Sequence, residues 1–332
     1  MRPAASGHNS NKMRIFCICL VKNEDDVLEE VVRVAATWAD GIFIADNQST
    51  DGTQAVISRL VDALPNVFDV GPMNEPFSDD LRAKVFHRAK GISARGDWWC
   101  RLDADELYID DPREFLESLP PQTDTVWSSH FQFQFTDVDL KNFEHDPAAF
   151  LATPLRERFR FYRNDASEIR FVKHTVPFIW YRQWPRFRCA SYPKRIRLAH
   201  FQYRSPEQII RRLAARREIA HRTGGGLFSH EMERATHLGN GEMAPTGQCD
   251  RASRNNIDYH ERIVPAAGLD QYTGQGYVER EADLPVIRDI WPPSIPFGLW
   301  KPYCIVTSLL SIRRLIPARI ARLFAQSQAR SP

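Results

Sequence analysis

The chain has 332 residues, of which 43% are hydrophobic and 11% are aromatic. It is therefore long enough to bury a sizeable core, and its composition excludes an intrinsically disordered protein. The net charge of +2 at pH 7 gives no overall signature of a polyanionic partner, so we expect no nucleic-acid binding.

The six cysteines show neither a Cys-x-x-Cys pair nor the spacing of zinc ligands. Cys17 and Cys19 fall in a predicted buried strand, where free cysteine behaves as a small hydrophobic residue, and this favours a reducing compartment. The first dozen residues lack the apolar core of a signal peptide, and no apolar run of 18 residues occurs. We therefore expect a cytoplasmic protein.

Strands and helices alternate along the first hundred residues. Residues 1–12 are expected to form a disordered leader, and Arg14–Val21 follows as a continuous apolar run typical of a central parallel strand. Apolar residues then recur at helical spacing from Leu28 to Trp38. The remaining predicted elements are a strand at 41–46, a helix at 53–63, a strand at 67–70, a helix at 78–94 and a strand leading into Asp103. This order predicts an α/β fold with a mostly parallel central sheet flanked by helices.

Three carboxylates, Asp103, Asp105 and Glu106, follow the apolar strand that begins at Trp98. These acids repel one another at the C-terminal end of a strand, which is where ligands bind in open α/β sheets. A divalent cation such as Mg²⁺ or Mn²⁺, shared by Asp103 and Asp105, would relieve the repulsion. The alternative is a solvated acidic turn, which accounts for most isolated Asp-x-Asp sequences.

Three predicted loops follow the C-terminal ends of parallel strands, at residues 22–24, 46–53 and 103–106. The second loop is rich in turn-forming residues with hydrogen-bonding side chains. Because the carboxyl ends of parallel strands meet at one edge of a sheet, we expect the three loops to converge on one cleft.

The motifs in these loops resemble those of a known family. Val21–Glu24, Asp46–Thr53 and Gly96–Glu106 resemble the three consecutive signatures of the family 2 glycosyltransferases, which have the Rossmann-type GT-A fold. His87–Ile92 is similar to the segment that precedes the Asp-x-Asp strand in that family, with an alanine where asparagine is usual. The resemblance covers residues 14–120 well and the remainder thinly.

The resemblance implies roles for residues of all three motifs. The Asp-x-Asp would hold a Mn²⁺ or Mg²⁺ ion that bridges both phosphates of a nucleotide-diphosphate sugar, with Asp105 rather than Asp103 as the more direct ligand. Asp46 would accept hydrogen bonds from the nucleobase and ribose, and Arg88 would neutralise phosphate charge. Lys22 would line the nucleoside. For Lys22 and Arg88 a solvated surface position is an equally good interpretation. The other residues expected to bind the donor are Asn23, Glu24, Asn47, Ser49, Asp51, Gly52 and Asp103.

The second half of the chain is expected to bind the acceptor and to supply a catalytic base. Residues 169–175 resemble the family segment that delivers a His-Glu pair to the cleft, but Thr175 replaces the glutamate. An inverting transfer requires a carboxylate or histidine within hydrogen-bonding reach of the acceptor hydroxyl. We expect His174 to fill this role, although a single histidine at a strand end is more often structural. The alternative bases are Glu106, Asp165 and Glu168, with Asp105 also catalytic as the metal ligand.

The predicted strand at 125–135 contains more aromatic residues than a core requires, among them Phe131, Phe133 and Phe135. Exposed aromatic rings are suited to stacking on the sugar rings of an acceptor. Burial against a helix is the commoner fate of such rings and is the alternative.

A helix start with a capping box is predicted at Ser205–Gln208. The His-x-x-x-Arg sequence before it resembles the place where many GT-A enzymes supply a third metal ligand and a phosphate-binding cation. The resemblance implies that His200 binds the metal and that Arg204 binds phosphate. A packed histidine at a strand end is an equally good account of His200.

We expect one GT-A-like catalytic domain over residues 13–222, with a nucleotide-sugar-binding half at 13–120 and an acceptor half at 121–222. Residues 223–256 contain repeated glycines and are predicted to form a flexible loop. Residues 257–332 are expected to form a mixed C-terminal part with a helical extension.

The C-terminal segment 309–324 combines apolar residues with arginines in an amphipathic pattern, and no acidic residue occurs after Asp289. Such a segment is suited to peripheral contact with the inner face of a membrane. A helix packed on the catalytic domain, with its arginines in water, is an almost equally good account.

The resemblance implies a metal-dependent, inverting glycosyltransferase that moves a sugar from a nucleotide-diphosphate sugar, with a UDP-sugar as the expected donor, to a glycan or lipid-linked acceptor, in the synthesis of a cell-surface polysaccharide or glycoconjugate. One alternative is a nucleotidyltransferase, which would be expected to have a glycine-rich phosphate loop in place of Lys22–Glu24. The other is a non-catalytic nucleotide-sugar-binding or scaffold protein with a degenerate GT-A fold, which Thr175 favours.

Overall fold

The computed structural model of the protein describes residues 13–89, 91–186, 188–222, 258–290 and 300–301. The expected leader at 1–12, the expected flexible loop at 223–256 and the basic segment at 309–324 lie outside the described residues. Among the described helices, none combines the length and the apolar character needed to span a bilayer.

The strands and helices alternate in the first part of the chain. The strands are β1 (Ile15–Val21), β2 (Gly41–Asp46), β3 (Val67–Asp69), β4 (Trp98–Arg101), β5 (Glu106–Tyr108), β6 (Thr125–Phe133), β7 (Phe161–Ala166), β8 (Ile169–Lys173), β9 (Ile196–His200) and β10 (Asp270–Gln271). The helices are α1 (Leu28–Ala35), α2 (Thr53–Ala63), α3 (Leu81–Ala89), α4 (Pro112–Glu117), α5 (Asp137–His145), α6 (Pro147–Ala152), α7 (Leu155–Arg158) and α8 (Pro206–Arg222).

The chain divides into two compact units. Of the described residues, the first unit contains those within 13–130, 165–199, 282–290 and 300–301, and the second contains those within 131–164, 200–222 and 258–281. The predicted nucleotide-sugar-binding half at 13–120 and acceptor half at 121–222 stay predictions. Strand β8 pairs with β4, and this pairing brings its part of the chain into the first unit.

The sheet of the first unit has the strand order β6-β8-β4-β1-β2-β3. Pairing is parallel between β1 and β2, between β1 and β4, and between β2 and β3, whereas β8 is antiparallel to both β4 and β6. The predicted α/β class with a mostly parallel central sheet flanked by helices is therefore confirmed.

The central position of β1 explains its continuous apolar sequence. Every residue of β1 is buried, as expected for a strand that has neighbours on both edges and is covered on both faces. On one face Phe16 packs on Trp99 of β4 and on Phe43 of β2, with ring centroids 5.3 and 6.3 Å apart. Phe86 of α3 completes this layer, 5.1 Å from Trp99. The layer attaches α3 to the sheet beside the strand that leads to Asp103.

Two helix boundaries show how local sequence acts. Helix α3 is shorter than the predicted 78–94 and ends at Ala89, shortly before Gly91, whose φ of 104° is a conformation that favours glycine and stops a helix. The predicted start of α8 is confirmed, since Gln208 N donates to Ser205 Oγ over 3.2 Å.

Aromatic rings form the core of the second unit. Phe131, Phe133 and Phe135 are all buried, and the ring of Phe133 stacks on that of Phe201 at 4.8 Å. Tyr162 of β7 packs edge-on against Phe131 at 5.4 Å. Burial, the commoner of the two predicted fates of these rings, is confirmed.

Candidate functional site

The loops after β1 and β2 are joined by hydrogen bonds at the carboxyl edge of the first unit's sheet. Asn23 N donates to Ser49 Oγ over 2.9 Å, and Thr50 N donates to Asn23 Oδ1 over 2.7 Å. Glu24 N donates to Thr53 Oγ1 over 2.9 Å. The φ of 57° at Asn23 lies in the left-handed region, which asparagine tolerates better than most residues. The first two motifs therefore form one continuous rim.

Asp46 ends β2, and Asn47 follows it at the same edge of the sheet. The Asp46 carboxylate is almost fully buried and accepts hydrogen bonds from Ser49 N, over 3.1 Å, and from Ser49 Oγ. Asn47 Nδ2 donates to the carbonyl oxygens of Met73 and Glu75, over 2.8 Å each, and so holds the segment after β3 in place. These contacts fix the direction of both side chains before any ligand binds.

Asp103 follows β4 and is surrounded by positive charge. Its Oδ1 lies 2.7 Å from Arg82 Nη2, and its Oδ2 lies 2.9 Å from Arg170 Nη1 and 3.0 Å from Arg101 Nε. Burial by itself would raise the pKa of Asp103, but the charges of Arg101, Arg82 and Arg170 outweigh it and hold that pKa well below its usual range. We call these three arginines the arginine cluster. Asp103 is ionised and neutralised by the protein itself.

Arg170 links this carboxylate to a second one. Its Nη2 also binds Oε1 of Glu106 and lies 3.3 Å from Nε2 of His130. Glu106 and Arg170 are both buried. Burial would lower the pKa of Arg170, but the charges of Glu106 and Asp103 outweigh it and raise that pKa well above its usual value. A buried pair of this kind is costly to break, because the remaining partner becomes an uncompensated charge.

The surroundings of Asp103 do not fit the metal-ligand role that the resemblance implies. Both carboxylate oxygens are already engaged by guanidinium groups, and the three positive charges would repel a divalent cation placed on Asp103. Asp105 lies buried in the turn between β4 and β5. Its role as a metal ligand stays a prediction. Glu106 and His130 offer possible ligand atoms within 4.8 Å of each other.

The structure does not bring His174 to Asp103. His174 N donates to the carbonyl oxygen of Asp97 over 2.7 Å, which places His174 beside the first residue of β4, whereas Asp103 follows the last. Its Nδ1 lies 2.9 Å from Ser93 Oγ and its ring stacks on Phe178 at 4.4 Å, and burial lowers the pKa of His174. These contacts suit a structural histidine.

Arg88 supports the backbone after β3. Its Nη1 lies within 3.1 Å of three carbonyl oxygens, those of Val70, Gly71 and Pro72. Lys22 is partly buried at the end of β1. The phosphate-binding role expected of Arg88 and the nucleoside-binding role expected of Lys22 stay predictions.

His200 and Arg204 belong to the second unit. Nδ1 of His200 faces Oε1 of Gln132. Arg204 is fully buried, and its Nη1 donates to the carbonyl oxygen of Phe201 over 2.9 Å. Their expected roles at the metal and at phosphate stay predictions.

None of the arginines that hold Asp103 was among the expected site residues. Arg170 carried the strongest usable signal, because it stands in an apolar strand beside Phe171 and Val172, and a buried arginine requires acidic partners. The signal for Arg82 was weaker, since α3 carries several cations and the sequence does not distinguish the buried one.

Comparisons with known proteins gave distant structural similarity. No family model matches the chain, and no curated protein matches it. A crystal structure of S. aureus TarS 1–349 aligns with 37% of this chain and 36% of its own, at 14% identity and a TM-score of 0.28. Glucosyl-3-phosphoglycerate synthase from Mycobacterium tuberculosis, in complex with Mn²⁺, UDP and glucosyl-3-phosphoglycerate, aligns with 48% of this chain and 57% of its own, at 14% identity and a TM-score of 0.27. The alignments therefore span about a third and just over half of those chains, and we base the functional proposal on this chain's own residues.

Proposed function

We propose that this protein binds a nucleoside-diphosphate sugar at the carboxyl edge of the first unit's sheet and transfers the sugar to a glycan or lipid-linked acceptor. One observation carries the proposal. The motif loops after β1 and β2 are hydrogen-bonded to each other, and the third motif contains β4, the other neighbour of β1, with its carboxylates following that strand. Ligands of open α/β sheets bind at this edge, and the three motifs resemble those of the family 2 glycosyltransferases.

The donor would be held by the rim and by Asp46. The carboxylate of Asp46 is positioned by Ser49 and suits the hydroxyl and N–H donors of a nucleoside, for which a uridine nucleotide is our first choice. Asn23 and Thr50 close the rim above it. Because hydrogen bonds within the protein hold these side chains in place, little conformational entropy is lost when the nucleoside binds.

The transfer step would be a direct displacement with inversion. The acceptor oxygen forms its bond to the anomeric carbon as the bond to the diphosphate oxygen breaks, the diphosphate leaves with the electron pair, and a base takes the hydroxyl proton. Of the expected bases, Glu106 and Glu168 belong with Asp103 to the charged cluster of the first unit, and His174 does not. A Mn²⁺ or Mg²⁺ ion at Asp105 would add positive charge near the leaving group.

The test is release of UDP from UDP-sugars by the full chain, with and without Mn²⁺ and with glycan acceptors. We expect turnover in the wild type and a large loss in Asp46→Asn, because its carboxylate would bind the nucleoside. Asp62→Asn, the same change at an exposed position of α2, is the matched control and should not alter the rate. Absence of both UDP release and any thermal stabilisation by a nucleotide-sugar panel would contradict the proposal.

A second candidate is a nucleotide-sugar-binding protein without turnover. It is favoured by the neutralisation of Asp103 by the arginine cluster and by Thr175 at the place of the family glutamate. Saturable donor binding with no UDP release, with every acceptor and metal tried, would favour this candidate over the transferase.

A further inference from the structure

We propose that Arg101 and Arg170 form an anion site for the diphosphate of the donor, and that the carboxylate of Glu168 occupies this site in the ligand-free protein. The identity of the anion as a nucleoside diphosphate rests on the proposed function. The site itself rests on the geometry of the first unit. Its occupant is an exposed acidic side chain held on guanidinium groups that are otherwise turned inward.

Glu168 lies on the solvent-exposed side of the arginine cluster, and Arg101 and Arg170 lie further inside. Oε2 of Glu168 lies 3.0 Å from Nη1 of Arg101 and 3.8 Å from Nη2 of Arg170. The side chain of Glu168 is 50% exposed, whereas those of Arg101 and Arg170 are 13% and 2% exposed. A carboxylate thus reaches in from solvent to two arginines that the fold holds in place.

Of the carboxylates that contact the arginine cluster, that of Glu168 can move away from the arginines most easily. Asp103 contacts all three arginines, and Glu106 is buried against Arg170. Asp79 is also at the surface, but it pairs with Arg82 and accepts a further hydrogen bond from Gln183 Nε2 over 3.1 Å. Within the part of the chain that the structure describes, the carboxylate of Glu168 contacts only Arg101 and Arg170, and its half-exposed position lets water compete for these contacts.

The backbone of Glu168 is anchored, so only its side chain needs to move. Its carbonyl oxygen accepts hydrogen bonds from Ser128 N over 2.8 Å and from Ser128 Oγ over 3.0 Å. Rotation about side-chain bonds moves the carboxylate away while the chain between β7 and β8 stays in place. The exchange of one anion for another therefore requires no refolding.

Departure of Glu168 leaves the cluster ready for a phosphate. The three remaining carboxylates, on Asp79, Asp103 and Glu106, then balance the three guanidinium groups, and Nη1 of Arg101 loses the carboxylate that it contacts at 3.0 Å. A guanidinium group matches phosphate oxygens in both charge and shape, and it binds them through charge-assisted hydrogen bonds. Arg101 and Arg170 would then donate hydrogen bonds to the leaving diphosphate beside Asp103, whose surroundings do not fit a cation.

Calorimetric titration of the full chain with UDP and with inorganic pyrophosphate, both in EDTA, tests this inference. We expect wild-type protein to bind both, and Glu168→Gln to bind both about threefold to tenfold more tightly, because the competing charge is gone. Arg101→Gln should weaken binding about tenfold or more. Glu29→Gln is the matched control, since Glu29 is an exposed carboxylate on α1 paired with Arg33 and Arg59. This variant should bind UDP and pyrophosphate with the affinity of the wild type.

Each outcome has a separate meaning. Unchanged or weaker binding in Glu168→Gln, repeated in Glu168→Ala and with thermal unfolding like that of the wild type, would overturn the anion site even if the wild type releases UDP from a UDP-sugar. Tighter pyrophosphate binding in both variants, with no binding of UDP to any protein, would support the anion site and contradict the proposed function. Loss of all binding in EDTA would overturn the direct contact between arginine and phosphate.

Discussion

Nη2 of Arg82 lies 2.7 Å from Oδ1 of Asp103, so helix α3 is tied by an ion pair to the first carboxylate of the Asp-x-Asp. Arg82 is buried, and its other partner is Asp79, two residues before the same helix begins. The pair makes Asp103 part of the packing between α3 and the sheet. Substitution of Asp103 is therefore expected to change stability as well as any binding at this edge.

Asp103→Asn tests the structural part of this role. The change leaves three guanidinium groups, two of them buried, without one of their shared partners, and loss of one member of a buried ion pair costs about 3–5 kcal/mol. We expect a loss toward the lower end of that range in urea-induced unfolding, because Asp103 is partly exposed. Asp62→Asn on α2 should change the unfolding free energy by about 0.5 kcal/mol or less. Equal stability of the two variants would refute the structural role.

Asp139 is expected to make stability depend on pH. It accepts hydrogen bonds from Thr136 N, over 2.8 Å, and from Thr136 Oγ1, over 2.6 Å, at the start of α5, and burial raises the pKa of Asp139 to about 6. Since the unfolded-state pKa is about 3.9, the folded state binds the proton more tightly between these values, and this contribution to stability is lost as pH rises from about 4 through 6.

Asp139→Asn should remove this dependence. Relative to the variant, wild-type protein should lose about 2–3 kcal/mol of unfolding free energy between pH 4 and pH 7, which is about 1.4 kcal/mol for each unit of pKa difference. Urea unfolding of both proteins across that range measures the difference, in which the other titrating groups cancel. Parallel profiles would show that Asp139 titrates normally.

The rim between the first two motifs can be tested at Asn23. Asn23→Ala removes the bond to Thr50 N and places a side chain without a local hydrogen bond at a φ of 57°. Asn23→Gly removes the same bond but tolerates that φ. We expect both variants to lose about tenfold in UDP affinity, which corresponds to one hydrogen bond of about 1.4 kcal/mol, and the alanine variant alone to lose a further 1 kcal/mol or so of folding stability. If both variants bind UDP with wild-type affinity, the rim does not contribute to donor binding.

Substitution of His174 distinguishes a structural role of this residue from a catalytic one. His174→Asn removes a ring that packs on Phe178 and contacts Ser93. Because His174 lies beside Asp97, which precedes β4, and not beside Asp103, which follows it, we expect a loss of about 1–2 kcal/mol in stability with UDP affinity unchanged. Abolished sugar transfer in a variant that stays folded and binds UDP would instead support the catalytic role suggested by the resemblance.

Local pattern was sufficient for the elements that carry the motifs. The apolar run at Arg14–Val21 and the short run at 41–46 became β1 and β2, and the capping residues at Ser205–Gln208 began α8. These predictions depend on burial and on turn chemistry within a few neighbouring residues. The meeting of the loops after β1 and β2 also followed, because parallel strands bring their carboxyl ends to one edge.

Tertiary structure alone decided which charges meet. Asp103 pairs with Arg82, which lies 21 positions earlier in the sequence, and with Arg170, which lies 67 positions later. No local spacing relates these residues. The direction of β8 decided the place of His174, since an antiparallel strand beside β4 sets that histidine at the start of β4 and turns Arg170 toward Asp103. Periodicity reports which side chains are buried, but the neighbour and the direction of each strand are set by long-range pairing, and that pairing determines whether an acid faces water, a metal or three arginines.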